Sequence, residues 1–196
     1  RVLGDESQND FYNSVYKYLK NFMFALVLGM TAFMPLVFHV LINKSYYNAI
    51  YYVPILLMAT YFANISGFYG GVFTAYKDTK IMGTTTVAAA IINLAINLFL
   101  IKWIGVYAAA LSTLIANLAV YIYRKRKVKR YIKLNENWKS SGIAIIVAVI
   151  IFILFYSEKT SYIIVACCVS VVYALITNYD ILRNIIIQIK SKQNSK

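Results

Sequence analysis

Residues 67–80 read GFYGGVFTAYKDTK, so Gly67, Gly70 and Gly71 crowd into an apolar run that breaks off at Lys77-Asp78-Thr79-Lys80. In a water-soluble helix each such glycine costs roughly 1 kcal/mol relative to alanine, and three together would mark a loop. In lipid the reading inverts. Backbone groups have no water to turn to, so the helix persists and glycine becomes a device for close packing. Gly67 and Gly71 lie four residues apart, with Thr74 and Ala75 one turn further on. This small-residue stripe predicts close approach of a neighbouring helix, followed by a tight turn at residues 77–80. A dinucleotide-binding glycine loop does not fit, because no strand precedes these glycines and their spacing is wrong.

Composition decides for lipid. Of 196 residues 61% are apolar and the mean hydropathy is +0.63, against roughly 45–50% apolar in an ordinary globular domain. The 20 basic and 7 acidic residues give a net charge of +13, and they gather in short segments between long uncharged ones. Positive charge distributed in that way points to membrane topology rather than nucleic acid. Cys167 and Cys168 sit deep in an apolar run, which predicts packing residues without a disulfide. The chain begins at Arg1 without an initiator Met or a signal-peptide pattern, and it is expected to be a piece of a longer protein.

Six apolar runs cover residues 21–42, 50–75, 82–101, 104–123, 142–156 and 162–177. As helices the first four reach about 30–39 Å, enough for a hydrocarbon core about 30 Å thick. The last two reach only about 22–24 Å but flank Ser157-Glu158-Lys159-Thr160-Ser161, a polar turn suited to a helical hairpin. Counting Lys and Arg in alternate connections places 17 on one side and only Lys44, Lys102 and Lys159 on the other. The expectation is an all-α, polytopic bundle of six transmembrane helices with both ends in the cytoplasm. Its parts are a cytoplasmic amphipathic lead-in (1–20), four spans (21–123), a basic loop (124–141), a two-helix hairpin (142–177) and a basic amphipathic tail (178–196) repeating Ile181, Ile185 and Ile189.

Tyr46, Tyr47, Tyr51, Tyr52, Trp103, Tyr107, Tyr156 and Tyr162 gather at the outer interface, and Tyr121, Tyr123, Tyr131 and Trp138 at the inner one. Beside the inner group, residues 124–130 (RKRKVKR) read as an anchor for anionic lipid headgroups, with no nucleic acid implied.

Polar groups recur at helical spacing. Thr86, Ala90, Asn93 and Asn97 share one face of the third span, Thr113 and Asn117 one face of the fourth, and Asn64 and Ser66 lie in the second. An unpaired buried amide costs on the order of 1–3 kcal/mol. Asn64, Asn93, Asn97 and Asn117 therefore serve either as interhelical hydrogen-bonding groups or as the lining of a polar cargo path. Pro35 is expected to kink the first span, as a gate or as static packing. His39 is either a proton-coupling group or structural. The sequence places no Asp, Glu, Lys or Arg in the middle of a span. It shows no metal-ligand cluster, no cofactor motif and no nucleophile with a base, so enzymatic activity is not expected.

The runs YYVPILLMATYF (51–62), ISGFYGGVFTAYKDTK (65–80), TTTV (84–87), IINL (91–94) with Asn97, and GVYAAALSTL (105–114) carry a family likeness. The chain resembles the C-terminal half of a bacterial polysaccharide biosynthesis flippase. This is the O-antigen type of lipid-linked oligosaccharide exporter within the multidrug, oligosaccharidyl-lipid and polysaccharide exporter superfamily. The resemblance implies part of one lobe plus two extra helices, a missing N-terminal lobe, and residence in the bacterial inner membrane. It also implies translocation of undecaprenyl-pyrophosphate-linked oligosaccharide by alternating access. Pyrophosphate-holding cations are not located by it. The alternatives are a multidrug or cation antiporter of the same superfamily, which would need an intramembrane carboxylate, and a truncated, non-transporting scaffold.

Overall fold

The computed structural model describes residues 6–157, 159–184 and 187. Among these there is no strand. Six α-helices follow one another: α1 (Glu6–Leu41), α2 (Val53–Ala75), α3 (Lys80–Ile104), α4 (Tyr107–Val128), α5 (Trp138–Tyr156) and α6 (Thr160–Thr177). A 3-10 segment, Lys44–Tyr52, leads into α2. Five of the helices are long and apolar enough to cross a membrane; α4 is the exception.

That exception corrects the expectation about which runs are weakest. The two short apolar runs become helices of 19 and 18 residues, because α5 recruits Trp138-Lys139-Ser140-Ser141 as a polar first turn. Asn137 caps that turn, accepting from the backbone N–H groups of Lys139 and Ser140. In α4, Ser112, Thr113, Asn117 and Arg124 dilute the apolar character, and the helix packs against both α2 and α3. A helix between two others needs less grease on its surface.

At 36 residues α1 absorbs both the amphipathic lead-in and the first span, and at 1.5 Å per residue it extends about 54 Å. It passes through Pro35 without interruption. Helix α1 packs against α2, α5 and α6. The core between them is aromatic. Phe24 meets Tyr61 and Tyr173 edge-on at 5.2 and 6.1 Å, while Tyr69 stacks on both Tyr16 and Tyr121 at 5.9 Å. Such pairs add roughly 0.5–1.5 kcal/mol each beyond their buried area.

The turns follow from backbone chemistry. Lys77 takes a left-handed φ of 59° while Asp78 N–H returns to the Phe73 carbonyl at 2.8 Å, closing α2 in a Schellman arrangement. Gly105 ends α3 in a different way: φ 56° with ψ −133° is a conformation open to glycine and strained for a residue with a Cβ. Residues 179–184 are helical again after a turn at Asn178. Ile185 and Ile189 of the expected amphipathic tail lie outside the described residues.

Candidate functional site

Two features of α2, α3 and α4 stand out: a long exposed face of small and polar residues on α2, and a buried arginine behind it.

Thr60, Asn64, Gly67, Gly71 and Thr74 recur at spacings of four and three, which keeps them on one side of α2, and all five are exposed. Ala63 and Ala75 flank them and are exposed too. A Cβ built at Gly67 or Gly71 would meet nothing within 4 Å. The close helix approach expected across Gly67 and Gly71 is therefore not made among the described residues. Close approach occurs instead at Gly70, where a Cβ would lie 3.1 Å from the Met82 methyl and 3.6 Å from an Arg124 nitrogen. The polar side chains of the exposed face turn back on their own helix: Thr60 donates to the Leu56 carbonyl at 2.9 Å, Asn64 to that of Thr60 at 2.9 Å, and Thr74 to that of Gly70 at 3.0 Å. The outer face of α3 is chemically opposite, presenting Val87, Ile91, Leu94, Leu98 and Phe99.

The remaining amides separate into two kinds. Asn93 donates to Thr113 Oγ1 at 3.0 Å and accepts from Ser112 at 3.4 Å, tying α3 to α4. Asn117 donates to the Ala59 carbonyl at 3.2 Å, tying α4 to α2. These two act as interhelical bonds. Asn97 leaves its Oδ1 buried without a hydrogen-bond partner. Thr86 is exposed.

Arg124 corrects the reading of the basic run as uniformly lipid-facing. It is 7% exposed and points inward among neutral oxygens. Nε donates to Thr85 Oγ1 at 2.9 Å and Nη1 to the Ser66 carbonyl at 3.1 Å. Nη2 reaches the Met82 carbonyl at 3.4 Å and Thr86 Oγ1 at 3.5 Å. Ser66 stands nine residues before the end of α2, about 13 Å along the axis, so the guanidinium ties α2, α3 and α4 together inside the bundle. A signal for this was present in the sequence: Ala108, Ser112, Ala116, Val120, Arg124 and Val128 recur every fourth residue, and all are buried. The row runs past the end of the apolar run at Tyr123 and into the charges, which concealed it.

Around Lys125 the arrangement differs. Its Nζ lies 2.7 Å from Glu136 Oε1, and Glu136 also accepts from Tyr16 at 3.3 Å, which in turn accepts from Tyr69 at 3.2 Å. The connection after α4 is thereby drawn under the bundle. Asn13 fastens it further, donating to the Lys133 carbonyl and accepting from the Asn135 N–H, both at 2.8 Å. Tyr131 donates to Asp78, and that carboxylate raises the Tyr131 pKa above its ordinary value.

At the far end, His39 is exposed and its Nδ1 lies 3.3 Å from the Tyr47 hydroxyl, joining the last turn of α1 to the 3-10 segment. Pro35 and His39 line one shallow groove with Tyr47 and Phe155. Among the described residues no three His, Cys, Asp or Glu side chains gather where a metal ion could be held. Both cysteines are free. No family model matches the chain, and neither a curated protein nor a solved structure matches it.

Proposed function

We propose that the chain is the C-terminal part of an exporter that moves lipid-linked oligosaccharide across a bacterial inner membrane by alternating access. In this reading it crosses the membrane six times, with α4 as the shielded sixth crossing and both ends in the cytoplasm. The exposed face of α2 borders the cargo path, shared with a lobe outside this chain. No step of chemistry or cofactor is involved, and Arg126, Lys127, Lys129 and Arg130 meet anionic headgroups.

The observation that carries the reading is the exposed row Thr60, Asn64, Gly67, Gly71 and Thr74. Hydrocarbon cannot hydrogen-bond an exposed amide, so such a face at membrane depth belongs against water or another helix. Sugar-bearing cargo requires a wet path, which this face supplies and the Val87, Ile91 and Leu98 face of α3 does not.

Single cysteines at Thr60, Asn64 and Gly71, in the intact protein with Cys167 and Cys168 replaced by Ala, test it. A membrane-impermeant maleimide is expected to label these positions and to leave cysteines at Val87, Ile91 and Leu98 unmodified. In parallel, Asn64→Leu is expected to reduce surface-glycan export at unchanged membrane abundance. Equal labelling of both faces would reject the path. Labelling of the α2 face without a glycan phenotype would reject the cargo.

A further inference from the structure

Between α1, α2, α4 and α5, on the side of the Lys125–Glu136 pair, lies a groove of about 360 Å³, within the range of small-molecule sites. Phe24, Tyr61, Phe62, Ala144, Ala148 and Phe152 make its depth apolar. At its mouth stand Lys20, Lys125 and Glu136. Glu136 is paired with Lys125, whereas Lys20 Nζ donates to the neutral hydroxyl of Ser141 at 2.7 Å. The mouth therefore carries one cation in excess.

The groove does not end at Lys20. A second recess of about 370 Å³ adjoins it, sharing Lys20, Asn21 and Ser140 as a common wall. Its other side chains are mostly hydrophilic, with Asn13, Ser14, Asn135, Asn137 and the Asp10 carboxylate among them, and Lys17, which also lines it, pairs with Asp180 at 3.2 Å. Apolar groove, single excess cation and hydroxyl- and amide-rich recess thus follow one another in the order of chain, phosphate and polyol in an amphiphile.

We propose that this pair of recesses is a binding site for an anionic glycerophospholipid of the inner leaflet. One acyl chain lies between α5 and the α2–α4 pair, the phosphate pairs with Lys20, and the hydroxyl-bearing headgroup occupies the asparagine-lined recess. Charge and hydrogen bonding together select the ligand: the phosphate meets the excess cation at the mouth, and glycerol hydroxyls can donate to Asp10 and hydrogen-bond the asparagine amides of the recess, which a trimethylammonium group cannot do. The bound lipid fills the seam between the α5–α6 hairpin and the rest of the bundle. It stands apart from the α2 face, so it holds whether or not that face carries cargo.

Native mass spectrometry of the intact protein in mild detergent tests this, with equal amounts of phosphatidylglycerol and phosphatidylcholine bearing identical acyl chains. The phosphatidylglycerol adduct is expected to be at least fivefold the more abundant. Lys20→Gln is expected to bring the two near parity, and Ala144→Phe, which narrows the apolar part, to diminish both. Glu136→Gln frees Lys125 and is expected to raise the phosphatidylglycerol adduct about twofold, an increase that simple loss of structure would not produce. Lys80→Gln, at an exposed lysine outside both recesses, is expected to change nothing. Equal adducts in the unaltered protein would overturn the proposal. So would a phosphatidylglycerol preference that survives Lys20→Gln, or one that falls as far with Lys80→Gln.

Discussion

Arg124 and Lys125 are consecutive residues of one basic run, yet α4 sends them to opposite fates. Arg124 enters the seam between α2 and α3 and is held by neutral oxygens. Lys125 turns about 100° away and meets a carboxylate under α1 and α5. Beyond them Lys129 and Arg130 are exposed. Helix register, rather than the presence of charge, decides whether a cation beside the membrane anchors lipid, closes an ion pair or staples a bundle.

The comparison is most readily broken at Arg124. Its acceptors do not depend on it: Thr85 and Thr86 already donate to the Ile81 and Met82 carbonyls at 2.7 and 2.9 Å, and the Ser66 and Met82 carbonyls belong to helices. Arg124→Ala is therefore expected to destabilise through lost packing and lost charged hydrogen bonds, by about 3 kcal/mol. Arg124→Met keeps most of the volume, removes a buried charge and orphans nothing, so it should fall within about 1 kcal/mol of the parent. Detergent unfolding followed by circular dichroism measures both. Equal losses would mean that the charge itself holds the three helices.

Removing the carboxylate on the other side has a smaller effect. Glu136→Ala strands Lys125 and releases the Tyr16 hydroxyl, and both partners of the pair are partly wet, with side chains 26% and 18% exposed. About 1–2 kcal/mol is expected in the same assay. The Lys17–Asp180 pair supplies the contrast: at 61% and 59% exposure, Lys17→Ala should cost no more than a few tenths of a kcal/mol.

A third test moves to the amides. Asn93→Leu breaks the α3–α4 bond to Thr113 and should cost about 1 kcal/mol, near the modest values typical of polar pairs inside bilayers. Asn64→Leu, on the exposed α2 face, should leave stability unchanged. Sequence spacing could place Asn93 and Asn117 on helix faces but could not say what those faces touched. The helical class and the apolar runs were legible because hydrophobicity is a local property that needs no partner. The exposure of Gly67 and Gly71, the inward turn of Arg124 and the seating of Glu136 all depend on which helix lies alongside, and antiparallel order alone does not specify that. The row from Ala108 to Val128 is the intermediate case: its period was visible, but a strong charge signal overlaid it.

The smallest expected effect concerns a residue whose backbone, not its side chain, is under constraint. Lys77 holds a left-handed φ of 59°, the position at which helices favour glycine, and its side chain is exposed. Lys77→Gly relieves the Cβ contact, about 1–2 kcal/mol for an ordinary residue, but enlarges the freedom of the unfolded chain, about 0.5–1 kcal/mol in the other direction. A net stabilisation of about 0.5 kcal/mol follows. At Gly105, where φ is 56° and ψ is −133°, a Cβ is strained in a different region, and Gly105→Ala is expected to destabilise. If both substitutions destabilise, the α2–α3 turn is held by the charge of Lys77 at the helix C-terminus rather than by its conformation. If they move in opposite directions, backbone geometry governs both turns.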